Sequence, residues 1–131
     1  MTGRRVLVLF ADEWDRAAIE RRADGTRYHF EGFDLFRFPE NARLFTFDAL
    51  AFSSRLARKY RRIGIDAVVT SEEQFGPVVA SLVARELGLP HNPIGAVITA
   101  QHKYYARRAF QDRLPDANPA FGLIPRDFRR T

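Results

Sequence analysis

Two short, unbroken apolar runs, each leading into a helical pattern, constrain this chain more than any other feature. They are residues 4–10 (RRVLVLF) and 65–70 (IDAVVT). A strand covered on one face alternates apolar with polar residues, whereas one buried on both faces reads as a continuous apolar run. Both runs therefore predict interior strands. A strand, a helix, another strand and another helix pair the strands in parallel and cover the sheet with helices. The expected fold class is α/β, a three-layer domain with a mostly parallel sheet flanked by helices.

The remaining elements follow from punctuation and periodicity. Residues 14–22 read as a helix closed by the turn residues 23–26. Residues 28–38 (YHFEGFDLFRF) alternate, with Tyr28, Phe30, Phe36 and Phe38 on one parity and a break at Gly32-Phe33. That predicts a strand, a turn or bulge, and then a second strand or an extended segment, with the phenylalanines on one sheet face packed into the core. Residues 46–62 form a helix with Thr46 as N-cap and Gly64 as its stop. Residues 71–87 form another, with Ser71 and Gln74 in a capping-box pattern, apolar residues at helical spacing, and Gly88 and Pro90 as terminators. Short helices are expected at 94–99 and 103–114, a turn at 115–119 and a strand at 120–125. The basic tail from 126 to 131 has no packing pattern.

Composition excludes several classes. The 131 residues suit one domain, 46% of them hydrophobic and 28% charged. With no cysteine there is neither a disulfide framework nor a thiolate metal site. No run approaches the roughly 20 apolar residues of a membrane span or has the layout of a signal peptide, so a cytoplasmic protein with no membrane partner is expected. The formal charge is +5, and of 21 basic side chains only Lys59 and Lys103 are lysines. Clustered arginine can bind phosphate backbones, but the clusters at 58–62 and 107–108 fall on helices, where solvated faces carry such charge. No nucleic-acid-reading motif accompanies them, and nucleic acid is not expected as a partner.

The sites of common cofactors are also missing. The turn after the first strand, Leu9-Phe10-Ala11-Asp12-Glu13, has no glycine, so a dinucleotide pyrophosphate could not approach the backbone there. There is no Walker phosphate loop and no nucleophile elbow. His29, His91 and His102 are too widely spaced for a local metal site, and no metal-ligating or catalytic residue is assigned. A phospho-accepting receiver domain is excluded because Asp66 opens the 65–70 run instead of ending it. In doubly wound sheets ligands bind beyond the carboxyl ends of the strands. The candidate substrate-binding residues are therefore Asp12 and Glu13 after the first run and Ser71, Glu72 and Glu73 after the second. Helix capping alone also accounts for the second loop.

From Gly64 through Pro125 the order of pieces resembles the junction of ATP-grasp enzymes. There a Rossmann-like pre-ATP-grasp domain hands over to the nucleotide-binding domain. The residues that carry the resemblance are Ser71-Glu72, Glu86-Leu87-Gly88-Leu89-Pro90, Asn92-Pro93, Lys103, and Arg107 to Phe110. It covers about half the chain and is nearest to carboxylate–amine ligases and biotin-carboxylase-like proteins. Two positions depart from the pattern: Gln101-His102 stands where an Asp directly before the lysine is common, and His91 occupies a frequent glycine position.

The resemblance implies a Rossmann-like domain at 1–100, with a hinge helix and first strand at 101–131 leading to an ATP-grasp domain absent from this chain. It implies a ligase that uses ATP and Mg²⁺ to activate a small-molecule carboxylate as an acyl phosphate. Lys103 would then contact the nucleotide, and this chain alone would be inactive. A solvated lysine early in a helix is the plain alternative for Lys103. A free-standing Rossmann-like binding or assembly module, with room for a homodimer, is the alternative for the whole chain.

Overall fold

The computed structural model describes residues 3–124; Pro125 and the basic tail lie outside them. Three strands, β1 (Arg5–Leu9), β2 (Arg27–Glu31) and β3 (Ala67–Thr70), form one sheet in the order β2-β1-β3, with both pairings parallel. Val8 stands opposite Phe30 on one side and Val69 on the other. The central position of β1 explains its unbroken apolar run: Leu7, Val8 and Leu9 are all buried.

Alternation along the strands assigns the helices to two faces. Helix α1 (Glu13–Glu20) holds Arg16 over the Phe30 ring. On the opposite face lie α2 (Ala49–Arg61) and α3 (Gly76–Leu87), where Tyr60 meets His29 edge-on and Leu56, Val79 and Val83 pack with Leu7 and Leu9. Burying each such aliphatic side chain stabilises the fold by about 1.5–3 kcal/mol. Leu9→Ala would open a cavity in this layer, at a cost of about 2–5 kcal/mol.

Backbone caps fix where the helices end. Gly64 (φ +76°) and Gly88 (φ +71°) take the left-handed conformation that follows α2 and α3. The Gly64 N–H donates to Tyr60 O, and the Leu89 N–H to Ala84 O. The start of α2 differs from expectation. Thr46 ends a separate 3-10 helix, Glu40–Thr46, and the cap is Asp48, whose carboxylate accepts the N–H groups of Leu50 and Ala51 at 2.9 and 3.0 Å. A carboxylate suits the positive end of the helix dipole.

Beyond β2 the turn, and not a bulge within a longer strand, is what forms, and residues 33–38 add no strand. After β2 the chain turns at Gly32 (φ +107°), whose missing side chain leaves room for the Phe10 ring; a Cβ there would lie 2.6 Å from Phe10 Cδ1. The turn carries the following residues off the sheet, so Phe33 is buried while Phe36 and Phe38 are 87% and 82% exposed. The expected strand at 120–125 is irregular chain as far as residue 124.

The chain divides after Ile94 into two compact units. The second is built from α4 (Ile94–Gln101), α5 (Lys103–Arg113) and a short 3-10 helix, Pro115–Ala117. Asn118 closes it, donating to Arg107 O at 3.0 Å and to Gln111 Oε1 at 2.9 Å, and Phe121 packs edge-on against Tyr104. No strand is described in this unit for residues 120–124 to pair with, which is why they stay irregular.

Candidate functional site

Strand order reverses at β1, which leads through β2 on one side to β3 on the other. Crevices at such a reversal, beyond the carboxyl ends, are where sheets of this kind hold ligands. The loops after β1 and β3 meet this condition, since Leu9 and Thr70, the last residues of the two strands, are register partners. All four candidate acids, Asp12, Glu13, Glu72 and Glu73, and also Ser71, thus leave the same edge of the sheet from adjacent strands.

Two of the acids serve the fold. Asp12 is the N-cap of α1, accepting the Asp15 N–H at 2.7 Å. Glu72, in place of Ser71, caps the approach to α3. Its Oε1 accepts from Gln74 N at 2.8 Å, and its Oε2 from Phe75 N and Gly76 N at 2.9 and 2.6 Å. The five-residue loop between β3 and α3 puts Ser71 too early to reach these amides, so the helix starts at Gly76 and not at 71. Thr70 locks the loop to its neighbour: its hydroxyl donates to Leu9 O at 3.1 Å and accepts the Glu72 N–H at 3.1 Å. Gly76 lets the helix come this close, because a Cβ there would sit 2.4 Å from Thr70 Oγ1. Glu13, Ser71 and Glu73 remain exposed.

Phe10 and Phe75, one from each of these two loops, join a cluster of rings. Phe10, directly after β1, holds the left-handed conformation (φ +57°) despite its side chain. Its ring contacts Phe33, Phe47, Phe52 and Phe75 at centroid distances of 5.5, 5.7, 5.5 and 4.9 Å. Left-handed backbone costs a non-glycine residue about 1–2 kcal/mol, so the packing of this ring holds the turn. These five phenylalanines are scattered from residue 10 to residue 75 with no common period, and no sequence signal could have gathered them.

At this edge the residues present do not fit a nucleotide phosphate or Mg²⁺. Carboxylates already stand at the helix starts where an anion would bind: Asp12 accepts the Asp15 N–H, and Glu72 accepts those of Phe75 and Gly76. Among the described residues no three His, Asp or Glu side chains cluster to hold a metal. A cavity of about 460 Å³ lies beside the free edge of β3, where Thr70, Ser81, His91 and Asn92 supply polar groups. Lys103 opens α5 in the second unit and is exposed to solvent.

At the far side of the sheet edge, Glu31 ends β2. Partial burial raises its pKa, but hydrogen bonds from Lys59 and Tyr60, with the charges of Lys59 and Arg55, outweigh that and hold the carboxyl below its usual value. Burial and the adjoining Glu31 carboxylate push the Tyr60 phenol above its usual value.

Among the described residues no helix is long and apolar enough to cross a membrane. No family model matches the sequence, and neither does any curated protein or solved structure.

Proposed function

We propose that this chain is the amino-terminal, Rossmann-like domain of an ATP-grasp ligase and forms the substrate-side wall of its active site. One observation carries the reading: the succession from β3 through α3, the Gly88 stop, Pro90 and α4 to a new helix opening on Lys103. That is the order in which pre-ATP-grasp domains lead into the nucleotide-binding domain. In this reading Glu13, Ser71 and Glu73 face a small carboxylate substrate or its amine acceptor. Asp12 and Glu72 set the positions of those loops through the caps they make. ATP and Mg²⁺ are held by a downstream ATP-grasp domain, which supplies the phosphoryl chemistry, and only Lys103 of this chain contacts the nucleotide. The chain alone has no catalytic residue.

The test is nucleotide affinity of the native polypeptide with and without the Lys103→Ala substitution. Losing one charge-assisted hydrogen bond, about 1.5–3 kcal/mol, weakens ATP binding roughly tenfold or more. An unchanged affinity removes Lys103 from the site.

The exposed aromatic side chains favour a second reading. Phe36, Phe38 and Phe45 are 82–93% exposed on the segment before α2, as in a module that assembles with a partner. A chain that neither binds ATP nor releases ADP would leave that reading standing.

A further inference from the structure

At the carboxyl end of β2 a cavity of about 410 Å³ opens between Gly32, the 3-10 helix and the first half of α2. Small-ligand sites occupy roughly 300–1,000 Å³. Its apolar lining comes from Phe33, Phe47 and Phe52 of the ring cluster, and four charged side chains, Glu31, Asp48, Arg43 and Arg55, line the rest.

The two carboxylates are already engaged. Glu31 Oε1 accepts from Lys59 Nζ and from the Tyr60 hydroxyl. Asp48 Oδ1 accepts the first amides of α2, and the helix dipole further offsets its charge. Neither guanidinium is bonded in this way, although the Arg55 charge acts on Glu31 from beyond contact distance. Neither Arg43 nor Arg55 forms an ion pair among the described residues. Arg55 lies over the Phe52 ring at 5.2 Å, which holds it at the cavity wall. The cavity thus offers two planar cationic forks above an aromatic surface. Guanidinium forks bind carboxylate and phosphate oxygens in pairs, and the rings suit a flat apolar body.

We propose that this cavity binds a small organic anion, its anionic head between Arg43 and Arg55 and its apolar body against Phe47 and Phe52. Backbone features give the site a fixed shape before any ligand arrives. Gly32 turns under the Phe10 ring, Asp48 sets the first turn of α2, and Glu31 is tied to α2 by Lys59 and Tyr60. The site uses none of the β1 or β3 loop residues and no nucleotide, so it stands or falls apart from the ligase reading.

Phenyl phosphate and benzoate, titrated into the protein while amide resonances are followed, test the proposal. Inorganic phosphate serves as a head without a body. The expected result is saturable binding of at least one aromatic anion, with shifts at Thr46, Ala51 and Phe52, and the tighter of the two identifies the head group. Arg43→Gln and Arg55→Gln each weaken it roughly tenfold, about 1.4 kcal/mol, while Arg58→Gln, on the same helix but outside the cavity, leaves it unchanged. Both cavity arginines are exposed, so the variants keep the fold, as circular dichroism verifies. No saturation at about 10 mM, far weaker than a millimolar site, overturns the proposal. So does an equal loss with Arg58→Gln, or inorganic phosphate binding as tightly as phenyl phosphate.

Discussion

Replacing Phe10 with alanine and, separately, with glycine probes the ring cluster and the backbone turn beneath it at one position. The Phe10 side chain is 3% exposed and contacts four other rings. Phe→Ala at a core position costs about 3–5 kcal/mol, and four edge or stacked ring contacts place Phe10 toward the top of that range. Alanine keeps the left-handed strain of φ +57°, worth about 1–2 kcal/mol. Glycine relieves that strain but loses about 0.5–1 kcal/mol more chain entropy on folding. Phe10→Gly should therefore be as stable as Phe10→Ala, or up to about 1.5 kcal/mol more stable. At Phe52, inside α2, the order reverses, and glycine is worse than alanine by about 1 kcal/mol. Urea unfolding of the four variants reads both differences from the transition midpoints at constant slope. The reasoning is refuted if Phe10→Ala costs under about 1 kcal/mol, or if glycine is the worse substitution at both positions.

Three further outcomes are expected. Gly76→Ala drives a Cβ against Thr70 Oγ1 and should cost about 1–3 kcal/mol; combining it with Thr70→Ala should recover part of the loss in the same urea experiment. Glu72→Ala removes the acceptor of three amides and should cost about 1–2 kcal/mol, with hydrogen exchange accelerating at residues 74–76; Ser71→Ala should be nearly neutral. The Glu31 carboxyl is held below its usual value, so its contribution is complete above the ordinary glutamate pKa of about 4.3 and is lost as pH falls through the lowered value. The stability gap between the wild type and Glu31→Gln, measured by urea midpoints from neutral to acid pH, should therefore begin to narrow below about pH 4.3 and vanish once the pH has passed the lowered value. A gap that stays constant through acid contradicts the pairing with Lys59 and Tyr60.

What could be read in the sequence, and what could not, divides along physical lines. Strand β1 was legible because burial on both faces leaves an unbroken apolar run. The stops at Gly64 and Gly88 were legible because left-handed backbone favours one residue type. The paired loops at Asp12-Glu13 and Ser71-Glu72-Glu73 followed from the parallel order alone. Caps were harder: Thr46 and Ser71 are good capping residues, but Asp48 and Glu72 lie where the amides point, and only the path of the chain decides between neighbours. Period-two alternation misled at Phe36 and Phe38, because Gly32 turns the chain off the sheet before they are reached. The ring cluster and the Arg43–Arg55 cavity were invisible, since each gathers residues from separate segments of the chain through tertiary contact.

The central claim, a substrate-side domain of an ATP-grasp ligase, is tested most directly by ADP release. The native polypeptide purified from its source would be incubated with Mg-ATP, a panel of small carboxylates and an amine donor. The account predicts ADP formation that depends on one carboxylate and falls when Lys103 is replaced by alanine. Absence of both ADP formation and ATP binding across the panel would contradict it.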